Sequence, residues 1–162
     1  MPRIYVGDFT VPATAIDVNG HVNHLEYLRW MQDLAVEHSA ARGWPLERYR
    51  ATGTAWVVRS HSIEYLRPAF AGDPLSILTW VADLRPRSSL RKYLLWRRSD
   101  RQILAQAETL WVFVEAGTGR ARLIPEELRS SFEVVAGQDE VLHLLRQGGA
   151  AGSGARAEAI DG

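Results

Sequence analysis

The chain has 162 residues, enough for one domain with a substantial core, and 46% are hydrophobic against 23% charged, an ordinary soluble composition. Nineteen Lys and Arg balance nineteen Asp and Glu, and this zero net charge argues against a general nucleic-acid binder. There is no cysteine, which excludes disulfides, thiolate nucleophiles and Cys-based metal sites. No apolar run approaches the ~18 residues of a membrane span, and Met1-Pro2-Arg3-Ile4-Tyr5 lacks the apolar core of a secretion signal. A cytoplasmic protein without a membrane partner is the expectation.

Residues 3–11 alternate and read as a strand that Pro12 ends. Residues 24–42 read as a long helix. Leu25, Leu28, Met31, Leu34 and Ala35 form its apolar face, widened by Tyr27, Trp30 and Val36, while Glu37 and His38 read as solvated. Gly43 suits the position after the helix, and Pro45 prevents its continuation. Strand signals follow at 55–67, 75–84, 90–98 and 103–115, with turns at Gly72-Asp73-Pro74, Pro86 to Ser89, Ser99-Asp100-Arg101 and Gly117-Thr118-Gly119. Pro125 opens a short helix to about Ser130 at its first helical position. A further helix is expected within 133–147, and the small-residue tail 148–162 reads as flexible. Strand, long helix, four strands and short helix make an α+β domain. One helix covers one sheet face, so the other face or an edge is expected to meet a second subunit.

The most informative segment is Asp17-Val18-Asn19-Gly20-His21-Val22-Asn23-His24, which leads directly into the long helix. Asn23 is a good N-cap and Glu26 follows three positions later, an Asn form of the capping box. The N–H groups of His24 and Leu25 then stand at the positive end of a helix, suited to an oxyanion. A carboxylate beside such donors fits acyl hydrolysis, with Asp17 as nucleophile or as general base toward water. A turn Asp that satisfies only its own backbone is the structural alternative. Gly20 supplies backbone freedom for the turn. His21 and His24 lack the further ligands that a metal site needs, so no metal and no cofactor is expected. Ser60, His61, Ser62 and Glu64 share one strand, but no nucleophile elbow surrounds them and adjacent residues point to opposite faces, so no hydrolase triad is read there. Residues 85–101 hold seven Lys or Arg and one acid, Asp100. This local basic patch suits phosphate capture or defends an edge strand.

The order of elements, with Asp17 through Leu28 ahead of the helix, resembles the hot-dog-fold thioesterases of the 4-hydroxybenzoyl-CoA and acyl-ACP types. Tyr65-Leu66-Arg67-Pro68 with Gly72-Asp73-Pro74-Leu75 resembles the family's strand–turn segment. Ala105 to Val114 followed by Ile124-Pro125-Glu126 resembles its last strand and next helix start, and the three matches lie within residues 3 to about 132. The resemblance implies a hot-dog fold over residues 1–132, a long central helix wrapped by about five antiparallel strands. It also implies hydrolysis of an acyl-CoA or acyl-ACP thioester by a homodimer or homotetramer with sites between subunits. Asp17, Asn19 and His21 match an Asp-x-Asn-x-His motif of plant-type acyl-ACP thioesterases, Gly20 and the His24 N–H adjoin them, and Tyr27 borders the acyl site. Arg87, Ser88, Ser89 and Arg91 match the segment near which relatives hold the CoA phosphates. His24 departs from the Asn common in the family. Two rival readings are a hydratase or dehydratase of the same fold and a non-catalytic acyl-thioester-binding module. The first lacks its usual His and Pro-Gly-rich motif here, and the second has no need of Asp17.

Overall fold

The computed structural model describes residues 3–148 and 159–160. Five strands, β1 (Ile4–Thr10), β2 (Thr54–Tyr65), β3 (Pro74–Leu84), β4 (Ser88–Arg97) and β5 (Gln102–Glu115), form one antiparallel sheet in the order β2-β5-β4-β3-β1. A two-residue strand, β6 (Ala159–Ile160), pairs with Ile4 and Tyr5 beyond β1. The rest of 149–162, where the sequence reads as a flexible tail, lies outside the described residues. Four helices occur among the described residues: α1 (His24–Ala41), α2 (Leu46–Ala51), α3 (Glu126–Ser130) and α4 (Asp139–Gly148).

Helix α1 links β1 to β2, which stand at opposite sides of the five-strand sheet, and the remaining strands return by hairpins from β3 to β5. The helix buries Tyr27, Met31, Leu34, Ala35 and His38, a stripe at helical spacing, against Tyr5, Ile77, Tyr93 and Leu95. Gly7 lets it approach β1 closely, since a Cβ there would stand 2.7 Å from Leu34 Cδ1. This stripe is rotated from the expected one. Leu25, Leu28 and Val36 are exposed, and His38 is buried rather than solvated, because Tyr27 and His38 meet Tyr65 and Tyr5 in the fold.

The opposite sheet face is partly covered within the chain. Val141 and Leu145 of α4, with Val135, pack on Ile4, Leu78, Trp80 and Leu94. That face therefore is not left whole for a second subunit at β1, β3 and β4. The β2 edge remains open, with Val57 and Val58 45% and 52% exposed. Helix α2 was not expected from sequence; Pro45 precedes it, as Pro125 precedes α3, and both prolines stand at the N-cap rather than inside the helix.

Candidate active site

Local hydrogen bonds build the turn before α1. The Asp17 N–H donates to His21 O at 2.9 Å, the Gly20 N–H to Asp17 O at 3.1 Å and the Asn19 N–H to Asp17 Oδ1 at 2.8 Å. Gly20 has φ +83°, the left-handed region that a residue with a Cβ enters at a cost. Two bonds fasten the turn to the body: Val22 N–H to Ala69 O at 2.8 Å and Asn23 N–H to Ala15 O at 2.9 Å.

Asn23 caps α1, its side chain accepting from the Leu25 N–H at 3.0 Å. The reciprocal half of the capping box is missing. The Asn23 N–H is already taken by Ala15 O, and Glu26 pairs with Arg29 at 3.6 Å instead. The cap also uses the Leu25 N–H, which leaves that group out of the expected oxyanion pair. Among the described residues the His24 N–H has no protein partner, so one first-turn donor remains at the positive end of an 18-residue helix.

Asp17, Asn19, His21, Val22, His24 and Tyr27 line a cavity of about 310 Å³ with Tyr65 to Pro68 at the end of β2. Sequence reasoning did not assign Tyr65 to the site. Its hydroxyl donates to His24 O at 3.3 Å, and its ring meets those of His24 and Tyr27 with centroids 6.4 and 5.3 Å away. Burial raises the pKa of Tyr27 and, separately, of Tyr65, so both hydroxyls stay protonated around neutral pH. The signal was in the Tyr65-Leu66-Arg67-Pro68 match, which marked a strand end without its neighbours.

The basic run from 85 to 101 does not form one patch. Arg85 pairs with Asp83 at 3.1 Å, Arg97 with Asp73 at 3.1 Å and Asp100 at 2.7 Å, and Arg98 with Asp8 at 3.3 Å. Most of these acids come from other segments, which is why the local charge count overstated the patch. Alternation along β4 turns Arg91 and Ser89 inward, where both are buried, and Ser89 Oγ donates to Asp83 O at 2.9 Å. Arg87 is exposed at the β3–β4 turn and Ser88 half-buried beside it. The expected phosphate group of Arg87, Ser88, Ser89 and Arg91 is thus split between surface and interior.

Comparison with known proteins matches residues 11–132 to the family model described as the thioesterase-like superfamily. The chain is 28% identical over 121 residues to the long-chain acyl-CoA thioesterase FadM of Escherichia coli (strain K12), covering 73% of this chain and 89% of that protein. It is 24% identical over 136 residues to a chloroplastic palmitoyl-acyl carrier protein thioesterase of Gossypium hirsutum, covering 80% of this chain but 33% of that one. A 1,4-dihydroxy-2-naphthoyl-CoA thioesterase from Synechocystis superposes with a TM-score of 0.73 at 18% identity, over 79% of this chain and 94% of its own, which shows the shared fold. The chain therefore belongs to the thioesterase-like superfamily and is a thioester hydrolase with the hot-dog fold.

Proposed function

We propose that this protein hydrolyses an acyl-CoA or acyl-ACP thioester to a free acid and a thiol, with Asp17 as its catalytic carboxylate. The observation that carries this reading is the pocket that gathers Asp17 with the unpaired His24 N–H at the start of α1. Asp17 either attacks the thioester carbonyl carbon or takes a proton from the water that does. In both cases the carbonyl oxygen gains negative charge, and the His24 N–H with the helix dipole stabilises it. Collapse of that intermediate breaks the C–S bond and expels the thiolate, leaving the free acid on the water route and an Asp17 anhydride that a water then hydrolyses to the acid on the nucleophilic route. Asn19 and His21 orient water, substrate or Asp17, and Tyr27 walls the acyl entrance.

Arg87 and Ser88 take a carrier phosphate. They stand at the start of β4, Arg87 in the turn before it and Ser88 its first residue, whereas Arg97 at the other end donates to Pro68 O beside the Asp17 pocket at 3.1 Å. Ten strand residues span about 30 Å. One chain therefore holds the two groups far apart, and a homodimer supplies both to one substrate. Antiparallel pairing of two open β2 edges sets the Tyr65 end of one protomer beside the Thr54 end of its partner. The exposed Val57 and Val58 support that contact. FadM is described as acting on acyl-CoA, so CoA esters are the first substrates to try.

Thiol release is measurable without protein background because the chain has no cysteine. Asp17→Ala lowers kcat/KM on acyl-CoA about 10²-fold or more, the scale of a lost general base, with fold and oligomeric state retained. Equal turnover by wild type and variant removes Asp17 from the reaction. Binding without turnover on either carrier favours the non-catalytic module. Single-turnover hydrolysis in heavy-oxygen water tests the nucleophilic role, since label reaches the Asp17 carboxylate only when water opens an Asp17 anhydride at the Asp17 carbon.

A further inference from the structure

A second cavity, of about 280 Å³, lies at the other end of α1 among α2, β2, β4 and β5. Its walls are mainly apolar and aromatic, including Val36, Trp44, Trp56 and Trp111. Arg91 lines it, 7% exposed. The hydrogen bonds that Arg91 makes to the protein both leave from Nη1, to His38 Nδ1 at 2.9 Å and to Thr79 Oγ1 at 3.0 Å. Both partners are neutral-capable groups, and among the described residues no carboxylate forms an ion pair with Arg91. Nε and Nη2 hold three further N–H donors of the fork, the geometry that receives a carboxylate.

A guanidinium removed from water without a counter-ion is costly. Burial pulls its pKa down, yet arginine keeps its proton in proteins. An anionic ligand relieves that cost, and the apolar walls select one that carries a hydrocarbon or aromatic body. Inorganic phosphate has no such body, and an acyl chain without a polar end leaves the cation unpaired.

We propose that this cavity binds the carboxylate of an apolar organic acid, held by Arg91. Two sources share that chemistry. One is the distal carboxylate of an ω-carboxyacyl thioester, which enters from the partner's Asp17 side; this source rests on the β2 pairing proposed above. The other is a free acid of the kind that hydrolysis releases, and it needs no dimer geometry.

Calorimetry on the full chain with octanoate and octanamide tests the shared claim. Octanoate is expected to bind at least tenfold more tightly than octanamide. Arg91→Gln removes that preference, and Arg91→Lys restores part of it. Val36→Trp keeps the guanidinium but fills the cavity mouth, and it abolishes octanoate binding even if Arg91→Gln does not fold. Turnover then separates the sources. A higher kcat/KM for the CoA ester of an ω-carboxyoctanoyl group than for octanoyl-CoA, reversed in Arg91→Gln, assigns the carboxylate to the substrate. Equal turnover of the two esters with retained octanoate binding assigns the site to free acid. Equal affinity for octanoate and octanamide, or octanoate affinity unchanged in Arg91→Gln, overturns the proposal whatever the esterase results.

Discussion

Replacing Gly20 isolates the backbone's contribution to the Asp17 turn. Gly20 has φ +83°, and a Cβ built there meets no atom within 4 Å. Alanine therefore clashes with nothing, and its whole cost is the left-handed backbone, about 1–2 kcal/mol. In a domain of this size each kcal/mol moves Tm by roughly 2–4 °C, which gives a loss of about 2–8 °C for Gly20→Ala. Asparagine enters this region more readily, so Gly20→Asn falls between the two. The turn also sets the Asp17 carboxylate proposed above to act on the thioester, because the Gly20 N–H donates to Asp17 O and the Asp17 N–H to His21 O. Relaxing φ at position 20 shifts both bonds and lowers kcat. Differential scanning fluorimetry and thiol release read the two effects separately, with the order Gly, Asn, Ala expected in each. A stable alanine variant, or asparagine as damaging as alanine, refutes the backbone argument. A lower Tm with unchanged kcat refutes the link from turn to carboxylate.

Val58→Lys places a charge on the open β2 edge, and light scattering should find monomer in place of the proposed dimer, with hydrolysis lost alongside; an active dimeric variant moves the interface elsewhere. His61 packs its ring between strands, with Nδ1 2.5 Å from Thr109 Oγ1 and a buried Nε2 that has no partner among the described residues. Burial lowers its pKa, so the folded state binds fewer protons there than the unfolded state, and stability falls as pH drops below about 6.5. Wild-type Tm should decline more steeply from pH 7.5 to pH 5.5 than that of His61→Gln, and parallel profiles exclude His61 as the source.

The turn from Asp17 to Asn23 was readable from sequence because the bonds that shape it, unlike the two that fasten it to the body, join residues two to four apart. Asx turn, left-handed glycine and N-cap depend on side chains that act on their own backbone. Strands and helix α1 were readable for a related reason, since apolar periodicity reports which residues are covered. The periodicity did not settle the face of α1. Leu25 and Leu28 fit the pattern as well as Tyr27 and Met31, and contacts with Tyr65 and β4 decided between them. Charge was the least legible property. Arg97 and Arg98 find acids brought in by the fold, Asp73 and Asp8, while Arg85 and Arg97 also pair with their sequence neighbours Asp83 and Asp100. Arg91 and Lys92 are neighbours in sequence, but Arg91 points to α1 whereas Lys92 stands between Trp80 and Glu108 of the adjacent strands. That choice follows from strand register, which is shifted by bulges at Val81–Asp83 and Leu95–Trp96. The sequence by itself determined the Asp17 turn, the helix behind it and the family, because these rest on local bonds and short motifs. Only the tertiary structure decided that Tyr65 joins Asp17 and that Arg91 is buried in a cavity, because those placements depend on strands paired across tens of residues.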